Sequence, residues 1–257
     1  MTPIIGITAD VSDDSLASGR RYADAVARAG AVPILIGPPF ATQSPHAGAG
    51  PDHNHASPAE IEHVAAIVRH LDGFVLTGGD DPDMNVFGVP THPKAAPIHP
   101  DRQRFETLLL ATLERDRPAV PVLAVCLGFQ LAALHAGGTL DQSLLDSRGK
   151  PVAHAHHPGV DDPPDTYHPL TILELPFEAQ NPLGPPGVVT ISSRHRQAVT
   201  EPGALEPIAL AEHDIIEAAI DLRRDFFVGV QWHPERAGPE SSGDGLFQQL
   251  VQAARRA

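Results

Sequence analysis

The chain has one cysteine, Cys126, so no intramolecular disulfide can form and nothing in the sequence asks for an oxidising compartment. Basic residues are scarce: 18 Lys and Arg stand against 32 Asp and Glu, a formal net charge of −14 that opposes binding to phosphate backbones or anionic lipid surfaces. No stretch reaches the roughly 18 consecutive apolar residues of a membrane helix. The start, Met1 to Thr8, lacks the basic end and long apolar segment of a secretory leader. Also missing is a phosphate-binding loop, because Gly78-Gly79 has neither the lysine of a nucleotide loop nor the dinucleotide spacing. The expectation is a cytoplasmic protein with no nucleic-acid or membrane partner and no cofactor.

What is present is a full core. Hydrophobic residues make up 42% of 257 and charged residues 19%, a globular composition. Short apolar runs at 4–8, 32–36, 73–77 and 120–125 alternate with helical patterns at 20–29, 58–70, 102–115 and 128–135, the rhythm of a parallel sheet covered on both faces. Beyond residue 166 the runs at 168–175, 188–192, 208–211, 215–221 and 226–231 follow one another with short turns, which predicts an antiparallel extension before a last helix at 243–256. The expected class is α/β, with a central mostly parallel sheet. The motifs that must meet lie at 78, 126 and 233, so one domain over 1–257 is expected. Two Pro/Gly-rich stretches, 38–58 and 156–166, lack periodicity and read as surface loops bordering the site.

Cys126 ends the apolar run Pro121–Val125 and is followed at once by Leu127-Gly128-Phe129-Gln130, a turn into a helix. A buried strand that stops on a thiol fixes the sulfur, and the next helix aims the positive end of its dipole at it. A small buried core residue is the plain alternative, but it does not explain the turn. Downstream, Gln231-Trp232-His233-Pro234-Glu235 supplies His233 as a base and Glu235 as a carboxylate to hold the imidazole in one tautomer. Upstream, Leu76-Thr77-Gly78-Gly79-Asp80 supplies glycines of the kind that let backbone amides approach a ligand, although paired glycines also make ordinary turns. The amide of Leu127 lies where an oxyanion donor is needed, and a second donor is expected from the glycine turn. These residues read as a Cys-His-Glu acyl-transfer site.

Three motifs in this order resemble the class I glutamine amidotransferases, and among them the gamma-glutamyl-gamma-aminobutyrate hydrolase type, also grouped as peptidase C26. The resemblance runs from Ile4 to Glu235. The family's nucleophile turn reads Gly-x-Cys-x-Gly-x-Gln, and Ala124 stands here for its first glycine while Gly128 and Gln130 remain. The resemblance implies a flavodoxin-like fold, Gly79 as the second oxyanion donor, and a glutamyl head held by Gln130, Gly78 and the segment Ser193, Arg194, His195 and Arg196. In the hydrolase branch this segment looks more like Asn-Ser-x-His-His-Gln, so Ser192 replaces an asparagine and Arg196 a histidine. Asp101, Arg102, Arg104 and Glu106 match the family's charged residues before the nucleophile strand, and read more simply as helix N-terminal acids and ordinary ion pairs. Glu217 matches a family segment facing the cleft.

Fifteen histidines raise the question of metal. His53 and His55, and His154, His156 and His157, sit at loose spacing in Pro/Gly-rich stretches, so no functional metal site is expected. The expected reaction is hydrolysis of a gamma-glutamyl amine to glutamate and free amine through a Cys126 thioester. The alternatives are a glutaminase subunit that passes ammonia to a synthase partner and a catalytically silent binding protein on the same fold. The 22 residues after Glu235 are too few for a synthase domain, which favours the free-standing hydrolase. The partner is a small gamma-glutamyl amide, with homo-oligomerisation left open. Its tail is expected to end in a carboxylate, as in gamma-glutamyl-aminobutyrate, because Arg194 and Arg196 at close range outweigh a diffuse, salt-screened acidic charge.

Overall fold

The computed structural model describes residues 1–12, 14–38, 56–148, 166–175, 180–237 and 242–256. All but the ends of the stretches 38–58 and 156–166, with His53, His55, His154, His156 and His157, lie outside the described residues.

The first half runs β1 (Ile4–Thr8), a short hairpin of β2 (Asp10–Val11) and β3 (Leu16–Ala17), α1 (Arg20–Arg28), β4 (Val32–Ile36), α2 (Pro58–His70), β5 (Gly73–Leu76), α3 (Pro100–Asp116), β6 (Val122–Val125) and α4 (Leu127–His135). The second half runs β7 (Thr139–Asp141), α5 (Leu144–Arg148), β8 (Thr166–Ile172), β9 (Gly187–Ser193), β10 (Ala198–Glu201), β11 (Glu206–Leu210), β12 (Ile216–Ile220), β13 (Phe227–Val230) and α6 (Asp244–Ala254).

Local chemistry sets the helix starts. Ser57 and Glu60 form a reciprocal capping box ahead of α2, with Pro58 in the first turn. Pro100 and the His99 ring, which accepts from the Asp101 amide at 3.2 Å, begin α3 two residues before the apolar periodicity starts. In contrast, α4 has no side-chain cap, so its first amides stay available.

Five strands in the order β4-β1-β5-β6-β13 pair in parallel, which is the doubly wound order of flavodoxin-like sheets. Antiparallel strands β12, β11, β8 and β9 extend the sheet beyond β13, and β10 joins β12 to β7. Alternate residues of each strand feed opposite faces. Ile5, Ile7, Val75, Leu123 and Val125 pack with α1 and α6, while Phe74, Leu76, Val122 and Ala124 pack with α2, α3 and α4. The α/β class and the antiparallel extension are as the sequence predicts. The strands β2, β3, β7 and β10 and the helix α5 are additions. Each has two to five residues, too few for a period to register.

Register brings the site together. Leu76 sits beside Ala124 and Val125 beside Val230, so Thr77, Cys126 and Gln231 leave adjacent strands at one rim, where open parallel sheets bind ligands. Gly128 allows α4 to press on β5: a Cβ there would lie 2.5 Å from the Leu76 carbonyl oxygen. Gly128→Ala should therefore destabilise by about 1–3 kcal/mol, measured as a lower denaturation midpoint at unchanged slope. An unchanged midpoint would mean that α4 can step back from the sheet.

Candidate active site

Cys126 is the residue at which β6 becomes α4, and it adopts φ 51°, ψ −106°. A side chain at positive φ is strained by about 1–3 kcal/mol and is kept only where the surroundings enforce it. Here the Cys126 amide donates to the Val230 carbonyl at 2.7 Å, and the Gln130 amide to the Cys126 carbonyl at 3.0 Å. The outcome is a sharp strand-to-helix elbow of the kind that presents a nucleophile, with Cys126 5% exposed and the Leu127 amide opening the helix beside it.

His233 follows β13 directly and hydrogen-bonds to Cys126 on one side, while its Nδ1 lies 2.8 Å from Glu235 Oε1 on the other. Burial alone would lower its pKa; the charges on Cys126 and Glu235 outweigh that and raise it to about 10. At neutral pH the imidazole therefore holds its proton beside the sulfur. Trp232 locks the strand end, fully buried with Nε1 donating to the Ser242 carbonyl at 2.7 Å.

Gly78 lies against the pair: a Cβ on it would stand 2.7 Å from His233 Cε1 and 3.4 Å from Cys126 Cβ. Its amide donates to the Tyr22 hydroxyl at 3.0 Å. Burial and then the Glu235 charge push the Tyr22 pKa well above its ordinary value, so the hydroxyl keeps its proton next to that carboxylate. Gly79 is exposed on the rim. Expected donors Gly79 and Leu127 are neighbours, since a Cβ on Gly79 would lie 2.9 Å from Leu127 Cδ2.

The expected head-binding residues divide into two sets. Gln130 is buried under the site, and its Nε2 donates to the Gln197 carbonyl and to Gln231 Oε1, both at 3.2 Å. Ser193 ends β9 with its Oγ buried and unbonded among the described residues. Arg196 returns to the glycine turn, donating to Asp81 at 2.7 Å, with the exposed Asp80 at 3.8 Å. This pairing balances much of the charge on which the carboxylate-tail expectation rests. Arg194 is half-buried, while His195 turns inward, with Nε2 3.4 Å from Glu217 and Nδ1 2.9 Å from the Gln197 carbonyl.

Glu217 is fully buried between His195 and His168 and does not lie at the cleft surface, the latter ring being 3.9 Å away. Among the described residues these three form a cluster whose ligand-type atoms lie within 4.8 Å of one another. Two imidazoles and a carboxylate are a donor set that suits zinc, and equally a buried acid–base contact that ties β12 to the 193–197 segment.

Two residues that the sequence named without a role of their own also touch the site. Gln231 is fully buried and donates from Nε2 to Cys126 Sγ at 3.5 Å. Arg102 was expected to be an ordinary ion-pairing residue, as Asp101 and Arg104 are, at 3.1 Å from each other. It is instead 1% exposed, bound to the fully buried Glu106 at 2.8 Å and to Asp10, and its Nη2 donates to the carbonyls of Thr77 and Gly78, both at 3.0 Å. Nothing in a helical Arg-x-x-x-Glu spacing distinguishes this from a surface pair.

A flavodoxin-like sheet with a Cys elbow, an adjacent His-Glu pair and a glycine turn defines the glutamine amidotransferase-like hydrolases. The peptidase C26 profile matches residues 55–235, and the chain belongs to that family. It is 32% identical over 192 residues to the protein NtpR of Enterococcus hirae, covering 74% of this chain and 77% of that one. It is 30% identical to a Mycobacterium tuberculosis protein whose name assigns it, provisionally, to the glutamine amidotransferases, covering 91% of this chain and 66% of that one. The glutaminase domain of Trypanosoma brucei CTPS, solved with bound acivicin, superposes with a TM-score of 0.63 at 13% identity, over 99% of this chain and 94% of that domain, a likeness of fold. Among the described residues no helix is long and apolar enough to cross a membrane.

The raised pKa of His233 sets a pH expectation. Its value in the folded chain exceeds that of free imidazole, so the proton persists through neutrality and leaves as pH rises through about 10. If the imidazolium serves as the acid for a leaving amine, the alkaline limb of the rate profile should lie near pH 10. Glu235→Gln removes one of the two charges that hold the proton, which should move the limb toward neutrality and lower kcat less than His233→Ala does. A limb near 7 in the parent, or equal losses in the two variants, would give Glu235 a different role.

Proposed function

We propose that the protein hydrolyses the gamma-glutamyl amide bond of a gamma-glutamyl amine, such as gamma-glutamyl-gamma-aminobutyrate, to glutamate and free amine. Cys126 attacks the gamma-carbonyl with the proton already on His233. Negative charge develops on the carbonyl oxygen, where the amides of Leu127 and Gly79 receive it. Collapse of this intermediate expels the amine, protonated by His233, and leaves a glutamyl thioester. Water, deprotonated by the same imidazole, then attacks the thioester, and a second collapse releases glutamate, whose acid proton passes to solvent, and restores the Cys126 thiolate beside the protonated imidazole. Glu235 holds the ring through both halves. The observation that supports this reading most is the strained Cys126 elbow, hydrogen-bonded to a histidine that a carboxylate orients at 2.8 Å. Polar groups from Gln130 and the 192–197 segment suit an amino-acid head bearing both an ammonium and a carboxylate.

The test is turnover. Purified protein is incubated with gamma-glutamyl-aminobutyrate, gamma-glutamyl-putrescine and glutamine while glutamate, amine and ammonia are measured. Glutamate and amine should appear from the gamma-glutamyl amines, and Cys126→Ala should abolish the reaction while leaving the fold intact. Faster ammonia release from glutamine would favour the glutaminase reading, and no release at all the binding protein.

Arg196 separates the tails. One of its nitrogens is engaged by Asp81, and the remaining N–H groups can still meet a carboxylate. Losing a charge-assisted contact corresponds to a fall of about tenfold or more. Arg196→Ala should therefore lower kcat/KM by about that factor for gamma-glutamyl-aminobutyrate and leave gamma-glutamyl-putrescine within about threefold. Equal losses would mean that Arg196 acts through Asp81 and not on the tail.

A further inference from the structure

We propose that Arg102 is the positioning residue of the oxyanion hole: it grips the Gly78 carbonyl and so aims the Gly79 amide at the developing oxyanion. The inference rests on the amide-hydrolysis reading above. A trans peptide is planar, with its C=O and N–H pointing in opposite directions. Whatever holds the Gly78 oxygen therefore sets the direction of the Gly79 hydrogen. With glycine on both sides, the peptide has little intrinsic preference between its two orientations, so the choice falls to its neighbours.

Arg102 makes that choice. Its Nη2 donates to the Gly78 oxygen at 3.0 Å, to the preceding Thr77 oxygen at 3.0 Å and to Thr77 Oγ1 at 2.9 Å. The guanidinium cannot wander: Nε is held by Glu106 at 2.8 Å, Nη1 by Asp10, and the side chain is 1% exposed. Only the planar fork of arginine reaches two carboxylates and two carbonyls at once. From the other side Tyr22 takes the Gly78 amide at 3.0 Å, while among the described residues the Gly79 amide makes no hydrogen bond. Gly79, open to solvent on one side, has Arg102 and Leu127 on the other, and the Leu127 amide is the other donor. A Cβ on Gly79 would come within 2.4 Å of Arg102 Nη1 and 2.9 Å of Leu127 Cδ2.

The test uses Arg102→Met combined with Glu106→Gln, which leaves no buried charge unpaired, and Arg102→Lys as a second variant that keeps the charge but loses the fork. Three rates are compared with the parent: hydrolysis of gamma-glutamyl-p-nitroanilide, inhibition by glutamate gamma-semialdehyde, whose thiol adduct places an oxygen in the hole, and alkylation of Cys126 by iodoacetamide, which makes no oxyanion. Losing one oxyanion donor lowers kcat by about 10²–10³-fold. The expected pattern is that loss in both folded variants, with KM within about threefold, a comparable loss of aldehyde affinity, and alkylation unchanged. A kcat within threefold of the parent, or an alkylation rate that falls along with kcat, overturns the proposal. If the parent cleaves no amide, the functional reading fails separately. Crystal structures of the parent and Arg102→Lys then decide: a turned or disordered 78–79 peptide supports the grip, and an unmoved one overturns it.

Discussion

The site depends on one enforced backbone conformation, the positive φ of Cys126. A non-glycine residue adopts it at a cost of about 1–3 kcal/mol, and the sheet supplies the restraint. β6 sits between β5 and β13, and just past its end the Cys126 amide donates to the Val230 carbonyl at 2.7 Å. Immediately after, α4 is drawn down on β5 because Gly128 presents no Cβ to the Leu76 carbonyl. The chain must turn within one residue, and the thiol is turned out with it. Since β13 runs on toward His233, the strand that pins Cys126 also brings the imidazole beside it.

Which features were legible in the sequence follows from how each is encoded. Cys126, His233 and Glu235 stand within a few residues of apolar runs that end at one rim, so strand patterning alone brings them together. The parallel half of the sheet was readable for the same reason. The short elements β7, β10 and α5 were not, because three to five residues carry no period and their positions are set by partners distant in sequence, as when Ala198 pairs with Asp141. Tyr22 was missed, Arg102 was read as an ordinary ion-pairing residue and Gln231 was named only as part of the His233 motif, all for a related cause. Each acts through a hydrogen bond to a backbone group or to the sulfur, and residue type and spacing do not say which carbonyl an arginine will find.

Burial divides the charged residues by task. Arg102 and Glu106 are removed from water, where an unpaired charge would be prohibitive, so each fixes the other and its neighbours in register. Arg196 and Asp80 stay near solvent, where salt screens them. The first set holds geometry, and the second is where a substrate tail would find its partners. The net charge of −14 belongs to neither set and bears on solubility more than on recognition.

The turn from Thr77 to Asp81 is where these restraints converge. It has no side chain at positions 78 and 79, and its two ends are held from elsewhere, through the amides and carbonyls of Thr77, Gly78 and Asp81. Thr77 is tied to Thr8 at the end of β1, its amide donating to Oγ1 at 3.0 Å. Tyr22 from α1 receives the Gly78 amide, Arg102 from α3 takes the Gly78 oxygen, and Asp81 is held by the Ala96 amide at 2.8 Å and by Arg196 beyond β9. Two glycines give the close approach that a reacting carbonyl needs but contribute no order of their own. Order is supplied by five separate parts of the chain, so a change in any of them reaches Cys126 and His233 through the same few peptide groups.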